Sequence, residues 1–225
     1  MNNPAIKKPS RAESLYLNVK EMAIQFTFKP SEKINEAELA QSLGASRTPL
    51  REALNRLVAE GFLDFTQGRG FSCRDLKPRE MFELYQFRSI LEVAAVRLAC
   101  EQSTEQEVME LANFLDRTGP DEGGRSGEEL VALDEYFHGQ IMSLSRNAQM
   151  SKTLENINAR IKYFRWVDMD SKRRKTQSEH RSIVQAMMAR DADLAAALMN
   201  EHISRRLDQI TAAVKESFSR INQDN

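Results

Sequence analysis

The sequence predicts a mainly α-helical protein: an N-terminal winged helix-turn-helix followed by an all-α helical bundle. Three observations carry that reading. Residues 36–60 form two short apolar-striped segments joined by a tight turn at Gly44-Ala45. Two short aromatic-containing runs around Gln67-Gly68-Arg69-Gly70 then read as a β-hairpin. Beyond Lys77-Pro78 the apolar pattern is helical throughout, with no credible strand.

In order, the polar stretch 1–11, with Pro4 and Pro9, is expected to be a disordered tail. A helix is expected from about Ala12 to Phe26, its Leu15, Val19 and Met22 facing a core. Phe28-Lys29-Pro30-Ser31 breaks it. Asn35 is placed to cap a helix from Glu36 to Leu43, striped by Leu39 and Leu43. The next helix, Ser46 to about Glu60, carries Leu50, Ala53, Leu54 and Leu57 at i, i+3, i+4 and i+7. Ser46 suits its N-cap, Pro49 is tolerated in its first turn, and Gly61 suits the residue after its end. Ser46, Arg47, Thr48 and Arg51 therefore crowd an exposed helix N-terminus, which carries free N–H groups and a positive partial charge. Guanidiniums and hydroxyls there suit phosphates and base edges. Gly68 and Gly70 flank Arg69 at the hairpin tip and allow close backbone approach to a DNA strand. The same pattern fits an ordinary amphipathic helix pair with surface arginines.

Six helices are expected in the bundle: 78–102, 104–117, 127–145, 148–168, 173–190 and 192–218. A Gly-rich break spans Gly119–Gly127, and Thr104 and Asp191 begin helices. The expected domains are thus a tail (1–11), the winged unit (12–76), a linker (77–78), the helical domain (79–218) and a second tail (219–225). The bundle is long enough to bury its own core.

The chain has 225 residues and a net charge of −1. Up to Leu76 it carries 11 Lys+Arg against 9 Asp+Glu, and the remainder nets −3. The net charge excludes a generic polyanion binder, and the asymmetry is too small to establish nucleic-acid binding, which leaves local geometry to decide. No apolar run reaches the roughly 18 residues of a membrane span, so no membrane partner is expected. Two cysteines without metal-motif spacing, and no signal-peptide pattern, predict a reducing cytoplasm.

Only three histidines occur, and all fall in predicted bundle helices: His138, His180 and His202. Asp134 precedes His138 by four residues and shares its helical face. If three helices converge, three imidazoles and a carboxylate suit Zn, Ni, Co, Fe or Mn with positions left open. An Asp-x-x-x-His pair is also common as a surface pair, so spacing leaves both readings standing.

Ser46-Arg47-Thr48-Pro49-Leu50-Arg51-Glu52-Ala53-Leu54, then Arg56-Leu57, Glu60-Gly61 and the Arg69-Gly70 wing, resemble the GntR family of bacterial transcription regulators. Glu83-Leu84-Tyr85, Arg88, Leu91-Glu92, Leu98-Ala99, Asp134 with Phe137-His138, Asn147, Glu179-His180 and His202 resemble its FadR-type ligand-binding domain, the FCD fold. The resemblance implies a homodimeric, effector-responsive regulator, a repressor, on a pseudo-palindromic double-stranded DNA operator, and not an enzyme. It implies a divalent metal, Zn, Ni or similar, on Asp134, His138, His180 and His202. It also implies a small effector, such as a carboxylate, beside that metal. Arg88 is the expected carboxylate partner, with a salt bridge to a glutamate on another helix as the alternative. Asn147, Tyr163, Arg165 and Trp166 are further pocket candidates.

Two departures stand out. Pro30-Ser31 replaces the family's usual Pro-Gly, so the turn is expected to differ. Ala37 stands where some relatives have Arg. The short linker fits the six-helix, VanR-like subgroup. Two rivals remain: a metal-dependent enzyme using Glu135 or Glu179 as base, and a regulator with a purely structural metal.

Overall fold

The computed structural model describes residues 10–119, 124–169, 173–204 and 207–223. The expected N-terminal tail lies outside these up to residue 9, as do residues 120–123 of the Gly-rich break. The chain divides into two compact units, Met1–Leu76 with Ile221–Asn225 and Lys77–Arg220.

The first unit holds α1 (Arg11–Ile24), α2 (Glu36–Ser42), α3 (Arg47–Ala59), β1 (Leu63–Thr66) and β2 (Gly70–Cys73). Ser10 caps α1 by accepting from the Glu13 N–H at 3.2 Å, so Arg11 begins the helix instead of ending a tail. Phe26 leaves α1 with φ 53° yet stays buried. Asn35 caps α2 by accepting from the N–H groups of Ala37 and Glu38. Ser46 occupies the N-cap position of α3 in extended conformation, but its side chain makes no capping hydrogen bond. The expected cap is there in backbone only, and the hydroxyl is left to other use.

β1 and β2 pair antiparallel with Leu63 opposite Cys73 and Thr66 opposite Gly70. Lys33 bridges to Ser72 on the other edge of β2, a pairing too short for the sequence to signal. Val19, Leu50, Leu54, Leu57, Phe62 and Phe71 form the buried interior. Tyr16 donates to Glu60 at 2.6 Å, and Lys20 reaches the same carboxylate at 3.1 Å. Arg56 pairs with Glu13 and lies over the Tyr16 ring at 3.5 Å. These contacts lock the far end of α3 to α1 and leave its N-terminal end exposed.

Lys29 O accepts from Glu32 N at 2.9 Å, closing a turn over Pro30-Ser31. Ser31 has φ 63°. Pro then Ser-with-positive-φ is the arrangement of a type II turn. The expected difference at this turn is therefore not one of shape: the serine adopts the left-handed conformation that glycine takes freely.

The second unit is helical: α4 (Pro78–Gln102), α5 (Glu105–Thr118), α6 (Gly127–Leu144), α7 (Ala148–Met169), α8 (Arg173–Met188), α9 (Ala192–Ile203) and α10 (Leu207–Gln223), the last as far as Arg220. Capping boxes at Thr104 and Ser126 and the Asp191 cap open α5, α6 and α9. α4 packs against α6, α7, α8 and α9, so it is the central helix. Val96, Phe137, Ile141, Ile183, Met187 and Met199 lie in the main core.

The expected final helix 192–218 is two. Ser204 ends α9 at φ −58°, ψ 129°, just past buried His202 and Ile203. No Pro or Gly marks that break. α10 then carries its apolar pattern, Ile210, Val214 and Ile221, past residue 218 to Gln223, so the expected 219–225 tail is helical over its described part. No helix intervenes between β2 and α4; the seventh helical segment arises at the other end of the bundle.

Candidate functional site

In the winged unit a cleft of about 850 Å³ is lined by Lys33, Asn35, Arg47, Thr48, Arg51 and Asn55, with Gly68, Arg69 and Gly70 closing one side. α3 presents Arg47, Arg51 and Asn55 at steps of four, hence on one exposed face. Gly68 and Gly70 have φ 80° and 85°, which only glycine adopts without strain, and they turn Arg69 outward at the tip. Among the described residues Arg47 and Arg69 have no ion-pair partner, while Arg51 lies 3.8 Å from Glu36 and 5.9 Å from the Phe71 ring centre. Two nearly unneutralised guanidiniums at a helix N-terminus, with a third on a neighbouring hairpin, form a surface for an anionic polymer. Ser46 is exposed beside the cleft but does not line it. Asn55 and Lys33 were not foreseen; Asn55 lay one turn beyond Arg51, on the same face.

In the bundle, Asp134 and His138 on α6, His180 on α8 and His202 on α9 converge, all buried, with one ligand atom from each within 4.8 Å of the others. His202 Nε2 lies 3.2 Å from His138 Nε2 and 3.1 Å from His180 Nε2. The Asp134 carboxylate lies 3.5 Å from His138 Nε2 and 3.3 Å from His180 Nε2. Donors bound at about 2.1 Å and 90–110° to each other lie about 3.0–3.4 Å apart. The four separations, 3.1–3.5 Å, lie at or just beyond that spacing.

The proton positions argue the same way. His138 Nδ1 meets Glu92 Oε2 of α4, and His202 Nδ1 meets Glu179 Oε2 at 2.8 Å. Each carboxylate accepts a hydrogen bond from Nδ1 and leaves Nε2 facing the centre, with a free lone pair wherever the ring is neutral. Facing lone pairs repel unless a cation lies between them. Burial pushes His180 down to about 4 and lowers His202 as well, which keeps both imidazoles neutral. Burial opposes protonation of His138 too, but Glu92 and Asp134 outweigh it and raise its pKa. Burial would raise Asp134; His138 and Arg165 instead hold it well below the usual carboxylate range. The raised pKa of His138 beside an ionised Asp134 gives the cluster one proton that a divalent metal would displace, and three imidazoles with a carboxylate fit such an ion.

Arg165 is brought to this site: its guanidinium pairs with Asp134 and reaches Glu135 at 3.1 Å. Arg88 pairs with Glu92 at 2.6 Å on its own helix, so the salt bridge is intrahelical, not between helices. Its buried Nη2 has no hydrogen-bond partner. Tyr163 is buried edge-on to Trp166, which packs over Gly127 and is partly exposed. Asn147 lies elsewhere. It is exposed, and its side chain accepts from the N–H groups of Gln149 and Met150, capping α7. Glu92 was missed as a support for His138, although its i+4 spacing from Arg88 put both on one face. Glu135 and Glu179, the bases of the enzyme reading, are engaged with Arg165 and His202.

A DNA-facing winged unit followed by a helical domain with a buried polar cluster defines a ligand-sensing transcription regulator. Residues 11–72 match the model of bacterial regulatory proteins of the gntR family, and residues 83–205 match the FCD domain. The chain is 43% identical over 205 residues to the Nta operon transcriptional regulator of Aminobacter aminovorans, covering 91% of this chain and 96% of that one. It is 30% identical over 204 residues to the HTH-type transcriptional regulator YdhC of Bacillus subtilis, covering 89% and 91%. The solved structure of E. coli McbR/YncC shares the fold, with a TM-score of 0.66 at 21% identity over 93% of this chain and 99% of that one. The chain belongs to the GntR family and carries an FCD effector-binding domain; it is a transcription regulator, not an enzyme. Among the described residues no helix is long and apolar enough to cross a membrane.

Proposed function

We propose that this chain is a metabolite-responsive repressor that binds a pseudo-palindromic operator as a homodimer. A divalent metal held by Asp134, His138, His180 and His202 forms part of its effector pocket. The observation that carries the reading is the convergence of three imidazole Nε2 atoms and a carboxylate at metal-ligand spacing, in a chain whose other unit presents Arg47, Arg51 and Arg69 outward. The similarity to a regulator named for an operon supports control of an operon.

A bound metal would supply a Lewis-acidic position for an effector oxygen. The protein's own residues do the rest. Glu92 and Glu179 fix the ring orientations of His138 and His202. The unpaired Arg88 N–H is available to an effector carboxylate. On the DNA side, Arg47 and Arg51 contact base edges or phosphates, Ser46 and Thr48 position the helix, and Arg69 contacts the backbone or minor groove. Two copies would set their α3 helices in successive major grooves, about 34 Å apart. The effector shifts operator affinity by its differential affinity for the two states of the regulator.

The test is a gel-shift titration on the chain's own upstream DNA, with metal-loaded and chelated protein and a panel of small carboxylates. A carboxylate that raises the operator Kd at least about tenfold with metal, and not after chelation, is the expected result. One that tightens DNA binding would reverse the sign, and an equal effect without metal would make the metal structural only.

A further inference from the structure

Asn55 sits well inside α3, on its exposed face, where the fold gives no reason for it. α3 runs from Arg47 to Ala59. At an interior helix position asparagine is a poorer choice than alanine, because its amide competes for backbone groups. The Asn55 side chain is exposed, and among the described residues its amide has no hydrogen-bond partner. The core is held by the other face of the helix, through Leu50, Ala53, Leu54 and Leu57. Yet Asn55 lines the same cleft as Arg47, Thr48 and Arg51.

The groups around it say what it can meet. A guanidinium such as Arg47 or Arg51 suits a phosphate or a guanine edge equally well. An amide is different in kind: it is neutral, and it carries an acceptor beside its donor. Against a phosphate its carbonyl oxygen would face anionic oxygens. Glu52, three residues before Asn55, lines the cleft too, exposed and without an ion-pair partner among the described residues. A carboxylate there repels phosphate, so this part of the face fits base edges, while Lys33 and Arg69 supply phosphate-binding charge from other segments. On its major-groove edge adenine presents an N7 acceptor next to an N6 donor, and one asparagine amide satisfies both.

We infer that Asn55 is a base-reading residue that pairs its amide with an adenine in each half-site of the operator. The inference rests on the proposed DNA surface and adds a base to it. Asn55 lies four residues beyond Arg51, a rise of about 6 Å. Helix residues three to four apart read successive bases, so the adenine lies about one to two base pairs from the pair that Arg51 touches. Asparagine is short. The contact therefore requires α3 to lie lengthwise against the floor of the groove instead of entering it by its tip alone.

The test is selection from a random duplex-DNA library by the full wild-type chain and by its Asn55→Ala variant. Wild type should return a pseudo-palindrome. Asn55→Ala should return the same sequence with a single A·T pair per half-site turned degenerate. Replacing that adenine with 7-deazaadenine, which lacks the N7 acceptor, should raise the wild-type Kd at least about fivefold and leave the Kd of Asn55→Ala unchanged. Asn55 is neutral and displaces no counterion, so the variant should keep the wild-type salt dependence of binding. A variant that selects an unchanged sequence overturns the inference and leaves DNA binding intact. So does one that binds every sequence more weakly with a flatter salt dependence, since that marks a phosphate contact. A wild-type chain that selects no sequence at all overturns the operator reading, and the role of Asn55 with it. The side chain is exposed and alanine favours helix, so the variant should fold, which unchanged helical circular dichroism confirms.

Discussion

Arg51 in the winged unit and Arg88 in the bundle each have a glutamate nearby, under opposite conditions. The Arg51 side chain is 59% exposed and 3.8 Å from Glu36; Arg88 is 5% exposed and 2.6 Å from a Glu92 that water does not reach. In the first pair, solvent screens the attraction and the guanidinium remains free to exchange its partner for a phosphate. In the second, dehydration makes each charge depend on the other and on His138. Burial alone would raise the Glu92 pKa, yet His138 and Arg88 hold it down to about 2. The difference separates a surface that must release its partners on meeting DNA from an interior that must keep its donors aligned.

The largest effect that could break this comparison is expected at Glu92. Glu92→Ala leaves the Arg88 guanidinium buried without a counter-charge and frees the His138 ring. The bundle should lose about 3–5 kcal/mol in chemical denaturation, and metal affinity should fall about 10–100-fold. The matched change Glu36→Ala in the winged unit should cost no more than about 1 kcal/mol. Similar losses at the two sites would show that burial does not divide the units as described.

Arg51→Ala sharpens the other side. Operator binding should weaken by about 1–3 kcal/mol, while stability changes by no more than about 0.5 kcal/mol. An unchanged operator Kd in a fluorescence-anisotropy titration would remove Arg51 from the DNA surface.

The two sites were legible to different degrees, for physical reasons. The cleft of the winged unit is local: Arg47, Thr48 and Arg51 share one helix start, and Arg69 lies between two glycines, so spacing alone put most of its lining together. The cluster is assembled from three helices, and periodicity could not show that His138, His180 and His202 meet; the family resemblance pointed to it. Glu92 escaped because a buried glutamate on a largely apolar helix reads as an interruption of the stripe. Asn147 was misplaced because its cap geometry is local while the pocket is not. The break at Ser204 left no trace because α9 ends on buried residues without Pro or Gly to mark it.

The smallest expected effect lies at Ser31, where the residue carried by this chain and the backbone it adopts disagree. Its φ of 63° places an L side chain in the left-handed region, which costs roughly 1–2 kcal/mol. The turn is held regardless: Glu32 N donates to Lys29 O, the Glu32 carboxylate accepts from Lys29 N at 2.6 Å, and Cys73 N donates to Glu32 O at 2.9 Å. These bonds fix the strand edge at Lys33 and the Asn35 cap, which line the cleft. Ser31→Gly removes the side-chain strain but gives the unfolded chain more freedom, so the winged unit should gain only about 0.5–1 kcal/mol. Ser31→Ala, with a Cβ still in place, should gain nothing. A glycine variant no more stable than the alanine one would show that the strain is absorbed elsewhere in the loop. A stabilised variant with unchanged operator affinity would show that the turn carries its strain without any use of it in DNA binding.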